Sequence, residues 1–262
     1  MRVVVTRPAA AAALTVGRLR RAGLEAVALP LTEIVALRQA RLPEMDGVAA
    51  LAVTSANALV HASAALVERL QGPPLHAVGR RTAKAAASRG FPAVRAGPGT
   101  AAALAAELGR ALPPGSRVIY LCGRLRKPEF EAQLGAAGVA VEPVETYDTR
   151  RVPPAATAAH ARSIGPVDAV LVYSSEAAAG LEALTREAGL AELFAAARFC
   201  CLSPRIAAVL AGVDPARIGI EIDGQRIFAV AALPDSGRFR HSVTPESLVD
   251  RPRCAPFHAG QV

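Results

Sequence analysis

Ala169-Val170-Leu171-Val172 carries no polar side chain at any position, and neither do Val3-Val4-Val5 or Leu51-Ala52-Val53. A strand with one wet face alternates polar and apolar residues, so a strand that is apolar throughout must be covered on both faces. Ala- and Leu-rich stretches of helical period separate these runs. Short buried strands alternating with helices specify an α/β protein with parallel sheets, because each parallel pair needs a crossover that a helix supplies. The pattern predicts strands at Val3–Thr6, Glu25–Leu29, Val48–Thr54, His76–Val78, Arg117–Leu121, Val139–Val144, Asp168–Tyr173, Phe199–Leu202 and Ile218–Ile222. A helix is expected over Ala9–Ala22, with Leu14 and Leu19 turned to the core and Gly23 ending it, and another opens near Asn57.

The pattern repeats. Arg2-Val3-Val4-Val5 precedes Gly23 by 21 residues, and Arg117-Val118-Ile119-Tyr120 precedes Gly138 by the same 21. Leu51-Ala52-Val53-Thr54-Ser55 resembles Val170-Leu171-Val172-Tyr173-Ser174, and Ala77-Val78-Gly79-Arg80 resembles Cys201-Leu202-Ser203-Pro204. Two related halves imply two similar lobes with a cleft between them. Two extended segments, Leu31–Arg38 and Glu145–Val152, fall outside the repeat. Paired, they would form an interlobe connector, with Tyr147 facing the cleft.

The chain has 262 residues and is 52% hydrophobic, which is enough for two cores. Its 30 Lys+Arg against 22 Asp+Glu give +8, almost wholly from arginine, since Lys84 and Lys127 are the only lysines. Biased composition explains that charge as well as a polyanionic ligand does. With no Trp, 3 Tyr and 7 Phe, the chain is poor in the rings on which single-strand binders stack bases, so no nucleic-acid partner is expected. No run of about 18 apolar residues suits a membrane span. The opening Met1–Pro8 reads as a strand and turn rather than a signal peptide. Cys122, Cys200, Cys201 and Cys254 have neither metal nor disulfide-framework spacing, so no metal is expected and a cytoplasmic protein with free thiols is the simplest reading. Ser236–Val262, rich in Arg and Pro, reads as a poorly ordered basic tail.

Common catalytic motifs are missing. No Gly-x-Gly-x-x-Gly, P-loop, His-Glu-x-x-His or nucleophile elbow occurs, and the histidines stand apart from any Ser/Asp constellation. What remains lies just past predicted strands: Thr54-Ser55-Ala56-Asn57, Gly79-Arg80-Arg81-Thr82, Gly123-Arg124 and Ser174-Ser175. Open α/β sheets bind ligands at the carboxyl ends of their strands, where helix N-termini offer free N–H groups and partial positive charge. Arg7, Arg80, Arg124 and Arg205 fall at such ends and suit an anion. Each hydroxyl serves equally as a helix N-cap, and each arginine as a solvated surface residue. Tyr147 carries a phenol able to donate to a leaving group, or equally a ring that packs.

The order and spacing of several short motifs resemble the uroporphyrinogen-III synthase family. They are Val5-Thr6-Arg7-Pro8, Leu29-Pro30, Val53-Thr54-Ser55-Ala56-Asn57-Ala58, Ala77-Val78-Gly79-Arg80-Arg81-Thr82-Ala83, Cys122-Gly123-Arg124 with Pro128-Glu129-Phe130, Thr146-Tyr147-Asp148-Thr149 and Asp168–Ser175, spread over about residues 1–220. The resemblance implies two flavodoxin-like lobes joined by a two-stranded linker near 31–38 and 145–152. It implies an interleaved layout as well, with 1–35 and 152–235 in one lobe, 36–151 in the other, and 236–262 as tail. The implied activity is cyclisation of hydroxymethylbilane, a linear tetrapyrrole with eight carboxylates, with loss of water and inversion of ring D. No cofactor or metal is used, catalysis is chiefly positioning, and a monomer is expected. The resemblance puts the family's tyrosine near the linker at Tyr147, and its strand-end hydroxyls at Thr54, Ser55, Thr82, Ser174 and Ser175.

The sequence departs from the family at Ser203-Pro204-Arg205-Ile206, where a helix-opening glycine and threonine are missing, and no closing helix is legible after Ile222. Two rivals remain. A racemase-like enzyme needs a thiol at equivalent repeat positions, but Cys122 aligns with Arg7 and Cys201 with Ala77. A two-lobed small-anion receptor or regulatory protein without turnover is the other, because positioning leaves little mark in a sequence.

Overall fold

The computed structural model describes residues 1–38 and 41–220. The expected tail at 236–262, the stretch up to 235, Cys254 and the end of the strand expected at Ile218–Ile222 lie outside them.

In chain order the first elements are β1 (Arg2–Val5), α1 (Ala9–Arg21) and β2 (Glu25–Ala28). Then come β3 (Thr32–Ala36), β4 (Val48–Val53), α2 (Ala56–Val60), α3 (Ala64–Arg69), β5 (Leu75–Ala77), α4 (Arg80–Ser88) and β6 (Val94–Ala96). They are followed by α5 (Ala101–Ala111), β7 (Arg117–Gly123), α6 (Glu129–Ala136) and β8 (Ala140–Arg151). The described chain closes with α7 (Pro154–Ile164), β9 (Ala169–Val172), α8 (Ser175–Thr185), β10 (Arg198–Cys201), α9 (Pro204–Ala207) and β11 (Ile218–Ile220).

Two compact units result. Among the described residues, one comprises Met1–Leu31 and the chain from Val152 to Ile220; the other lies within Thr32–Arg151. The first holds a five-stranded sheet, order β11-β10-β9-β1-β2, parallel throughout. The second holds a six-stranded sheet, order β3-β8-β7-β4-β5-β6, parallel except where β3 pairs with β8. The resemblance implies a boundary at 35/36, whereas the contacts put it at Leu31/Thr32. The reason is pairing: β3 lies antiparallel to the end of β8 from Thr32↔Arg151 to Ala36↔Tyr147. The two extended segments do pair, and in doing so they continue the second sheet as its edge.

Both sheets are covered on both faces, as the fully apolar runs require. In the first unit Val4, Val170, Val172 and Phe199 pack with Leu181 and Ala158 on one side, while Val3, Val5 and Leu171 pack with Val16 and Leu19 on the other. In the second, Leu51, Val53, Ile119 and Leu121 meet Leu59 and Leu66, while Ala52, Val118 and Tyr120 meet Leu104 and Phe130. One expected core residue is corrected. Leu14 is 65% exposed, and α1 buries Ala12, Thr15, Val16 and Leu19 instead. Five residues separate Leu14 from Leu19, which turns it about 140° away from the buried stripe.

Candidate active site

Parallel strands place their carboxyl ends on one edge. In the first unit the adjacent strands β10, β9 and β1 bring Arg205, Ser174, Ser175 and Arg7 to that edge. In the second, the adjacent strands β7, β4 and β5 do the same for Gly123 and Arg124, for Thr54, Ser55 and Asn57, and for Gly79, Arg80 and Thr82.

Several of these side chains already have structural work. The Ser55 hydroxyl accepts from Asn57 N at 3.2 Å and caps α2, and Ser174 accepts from Ala177 N at 3.1 Å and caps α8. At the departing turn, Ser203 caps α9 by accepting from Ile206 N at 3.4 Å, so a helix still starts there although the glycine and threonine are absent. Gly79 is the N-cap of α4, and Thr82 is buried in that helix's first turn. Ser175 differs from them: its Oγ is buried without a hydrogen-bond partner. Arg7 lies over the Tyr173 ring, 4.6 Å from its centroid, while Arg80 and Arg205 are exposed. Arg124 faces carboxylates, with Glu145 at 3.1 Å and Asp148 at 3.8 Å.

Three of the expected residues meet in one cavity of the second unit, of about 480 Å³. Thr54, Gly123 and Tyr147 line it together with Tyr120, Thr100 and Arg126. The others named from sequence are not on its walls. Thr54 lies just past β4, Gly123 ends β7, Thr100 caps α5, and Tyr147 sits half-buried on β8. The Arg126 guanidinium is held between Glu131 at 2.6 Å and Glu145 at 2.8 Å. The hydrogen bond that Arg126 donates to Glu131 raises the Arg126 pKa, and the one it donates to Glu145 lowers that of Glu145. These ion pairs fasten the loop after β7 to α6 through Glu131 and to β8 through Glu145.

Tyr120 and Arg126 are not singled out by the sequence. Tyr120 is 3% exposed, its ring 4.5 Å from that of Phe130 and its phenol 2.6 Å from the Thr54 hydroxyl. Burial pushes its pKa up to about 12, so the phenol stays neutral. The geometric cause is register: Tyr120 pairs with Ala52, and Thr54 lies two residues further on the same face. Thr54→Val is expected to destabilise the protein by about 1–3 kcal/mol, because it strands a buried phenol. Tyr120→Phe should cost less, since the half-exposed Thr54 hydroxyl can turn to water. The Tyr120 phenol titrates near 10.0 when unfolded and near 12 when folded, so its contribution is complete below pH 10 and fades above it. Denaturant midpoints at pH 8 and pH 11 should therefore show the gap between wild type and Tyr120→Phe narrowing.

Cys122 and Cys201 are buried thiols, and burial pushes both up to about 12. A racemase needs thiolates near neutral pH, so the two-thiol mechanism has no support here. Among the described residues no three His, Cys, Asp or Glu side chains gather as a metal cluster, and no helix is long and apolar enough to cross a membrane.

A family profile described as uroporphyrinogen-III synthase HemD matches residues 14–218. The chain belongs to the uroporphyrinogen-III synthase family. That family comprises cyclising lyases of haem biosynthesis that act on a tetrapyrrole. Among solved structures, the uroporphyrinogen-III synthetase of Helicobacter pylori is similar at 17% identity and TM-score 0.57, with 88% of this chain and 98% of that chain covered. A mutant uroporphyrinogen III synthase from the extremely thermophilic bacterium Thermus thermophilus is similar at 20% identity and TM-score 0.50, with 87% and 95% covered. These likenesses show the two-sheet α/β fold. No curated protein sequence matches the chain.

Proposed function

We propose that the chain converts hydroxymethylbilane to uroporphyrinogen III and that Tyr147 assists departure of the terminal hydroxyl. The observation that supports the reading is that Tyr147 lines a cavity at the carboxyl edge of the second sheet, in a chain of this family. The phenol gives its proton to the leaving hydroxyl. The carbon–oxygen bond breaks, water takes the electron pair, and a pyrrole nitrogen lone pair stabilises the resulting azafulvene cation. Ring D closes through a spiro intermediate, and the proton lost when the pyrroles regain aromaticity restores the phenol. The sequence is redox-neutral, so it calls for no electron-transfer cofactor.

Strand-end hydroxyls and arginines at the two sheet edges supply donors for a polycarboxylate. The substrate contacts in this reading are Thr54, Ser55, Asn57, Gly79, Arg80, Thr82 and Arg124 in the second unit, and Arg7, Ser174, Ser175 and Arg205 in the first; Gly123, expected from sequence among them, has no side chain to offer and lies instead against Tyr147. The net charge of +8 favours capture of such an anion. The partner is this small molecule rather than nucleic acid or membrane. We infer a monomer working in the cytoplasm, where buried thiols such as Cys122 and Cys201 stay reduced.

The test supplies hydroxymethylbilane freshly made by its deaminase, oxidises the products and separates uroporphyrin isomers by chromatography. Predominantly isomer III is the expected result. Isomer I alone, the product of spontaneous closure, would overturn the reading.

A further inference from the structure

We propose that Gly123, with the extra residue of β8 opposite it, is the positioning device for the Tyr147 phenol. This rests on the reading of Tyr147 as proton donor. Strands β7 and β8 advance residue for residue from Arg117↔Ala140 to Cys122↔Glu145; the next pair is Gly123↔Tyr147. Thr146 is therefore one residue too many, a bulge, and a bulge re-aims the side chains around it. By simple alternation Tyr147 would share a face with Glu145. The bulge turns it instead to pack against the cluster that contains Leu121 and Val144.

Two sets of bonds hold the irregularity in place. Thr146 is fully buried, and its hydroxyl donates to Ala58 O at 2.8 Å, with Cys122 O at 3.4 Å. Beyond it, Arg124 N donates to Tyr147 O at 2.8 Å. The Tyr147 ring then lies across Gly123. A Cβ at residue 123 would stand 2.6 Å from Tyr147 Cζ, 2.8 Å from Cε2 and 2.9 Å from the phenol oxygen. Gly123 is not in the left-handed region, so its backbone does not call for glycine. What the missing side chain provides is room, and that room lies directly under the end of the ring that carries the hydroxyl. Gly123 thus acts through Tyr147 rather than on the substrate.

The test uses the full chain carrying Gly123→Ala, Tyr147→Phe and both together, assayed for isomer III. Gly123→Ala is expected to lower kcat by the same factor as Tyr147→Phe, about 100-fold, with KM little changed. The double variant is expected to be no slower than the slower single variant. If Tyr147→Phe slows turnover and Gly123→Ala does not, the positioning role is overturned while the donor reading stands. If Tyr147→Phe leaves kcat unchanged, the donor reading falls and the positioning role falls with it. If the two losses multiply, Gly123 acts independently of the phenol and the positioning role is overturned. Thermal midpoints keep the test decisive if Gly123→Ala folds poorly. The substitution should lower the midpoint in wild type and much less in Tyr147→Ala, where no ring meets the new Cβ. An equal loss in both backgrounds would overturn the contact itself.

Discussion

Tyr147→Phe is expected to reduce turnover about 100-fold, the lower end of what a positioned proton donor contributes. The substitution removes one oxygen and leaves the ring, so the packing against Gly123 and the tilted approach of the His61 ring at 6.2 Å survive. The fold should be unchanged by circular dichroism. KM should hardly move, because the substrate's carboxylates are held by other groups. The product mixture should shift as well. Hydroxymethylbilane closes spontaneously to isomer I, so a slower enzyme at fixed concentration lets isomer I accumulate. Steady-state rates and the isomer ratio measured on the same samples check both statements. Unchanged turnover would remove the phenol from the chemistry.

Phe130→Ala is expected to destabilise the protein by about 3–5 kcal/mol, the range for removing a buried aromatic side chain. Phe130 is 2% exposed at the start of α6 and shares a cluster with Leu104, Leu108 and Leu134. It also holds the Tyr120 ring, with centroids 4.5 Å apart, and Tyr120 in turn bonds Thr54. One substitution therefore hollows the core and loosens a wall of the cavity, since Phe130, Tyr120 and Thr54 all line it. The expected signature is a lower denaturant midpoint together with a raised KM. Phe130→Leu, which refills most of the volume, should recover most of both. A midpoint close to wild type for the alanine variant would show that the core collapses around the gap.

Strand positions are legible because burial on both faces writes itself into the chain. A run such as Ala169–Val172 needs no partner to be recognised, and β9 occupies those four residues. β6, over Val94–Ala96, escapes the pattern because it is a three-residue edge strand with an arginine in the middle, half-buried at best. The sequence pattern divides β8 into two pieces, Val139–Val144 and Glu145–Val152, but the strand is continuous from Ala140 to Arg151. The bulge at Thr146 interrupts its alternation, and the strand changes partner from β7 to β3 along its length.

The candidate site divides in the same way. Thr54 and Gly123 stand out because each lies at or beyond the end of an apolar run, which is a local property of the chain; Tyr147 stands out from its place in the extended segment Glu145–Val152 and from the family resemblance. Tyr120 gives no such signal. Its polar atom matters only because it opposes Ala52 and so reaches Thr54, 66 residues away in the chain. Arg124 reads as an anion ligand from its place after a strand; that its guanidinium also faces Glu145 and Asp148 is visible only in the fold. Sequence alone determined the fold class and the repeat, and put the polar strand-end residues at the carboxyl edges of the sheets, because apolar period and strand-end position are short-range facts. Tertiary structure alone decided which side chains meet. Register sets those distances, and the register of β7 against β8 depends on one extra residue whose hydroxyl is bonded to Ala58, 88 residues away.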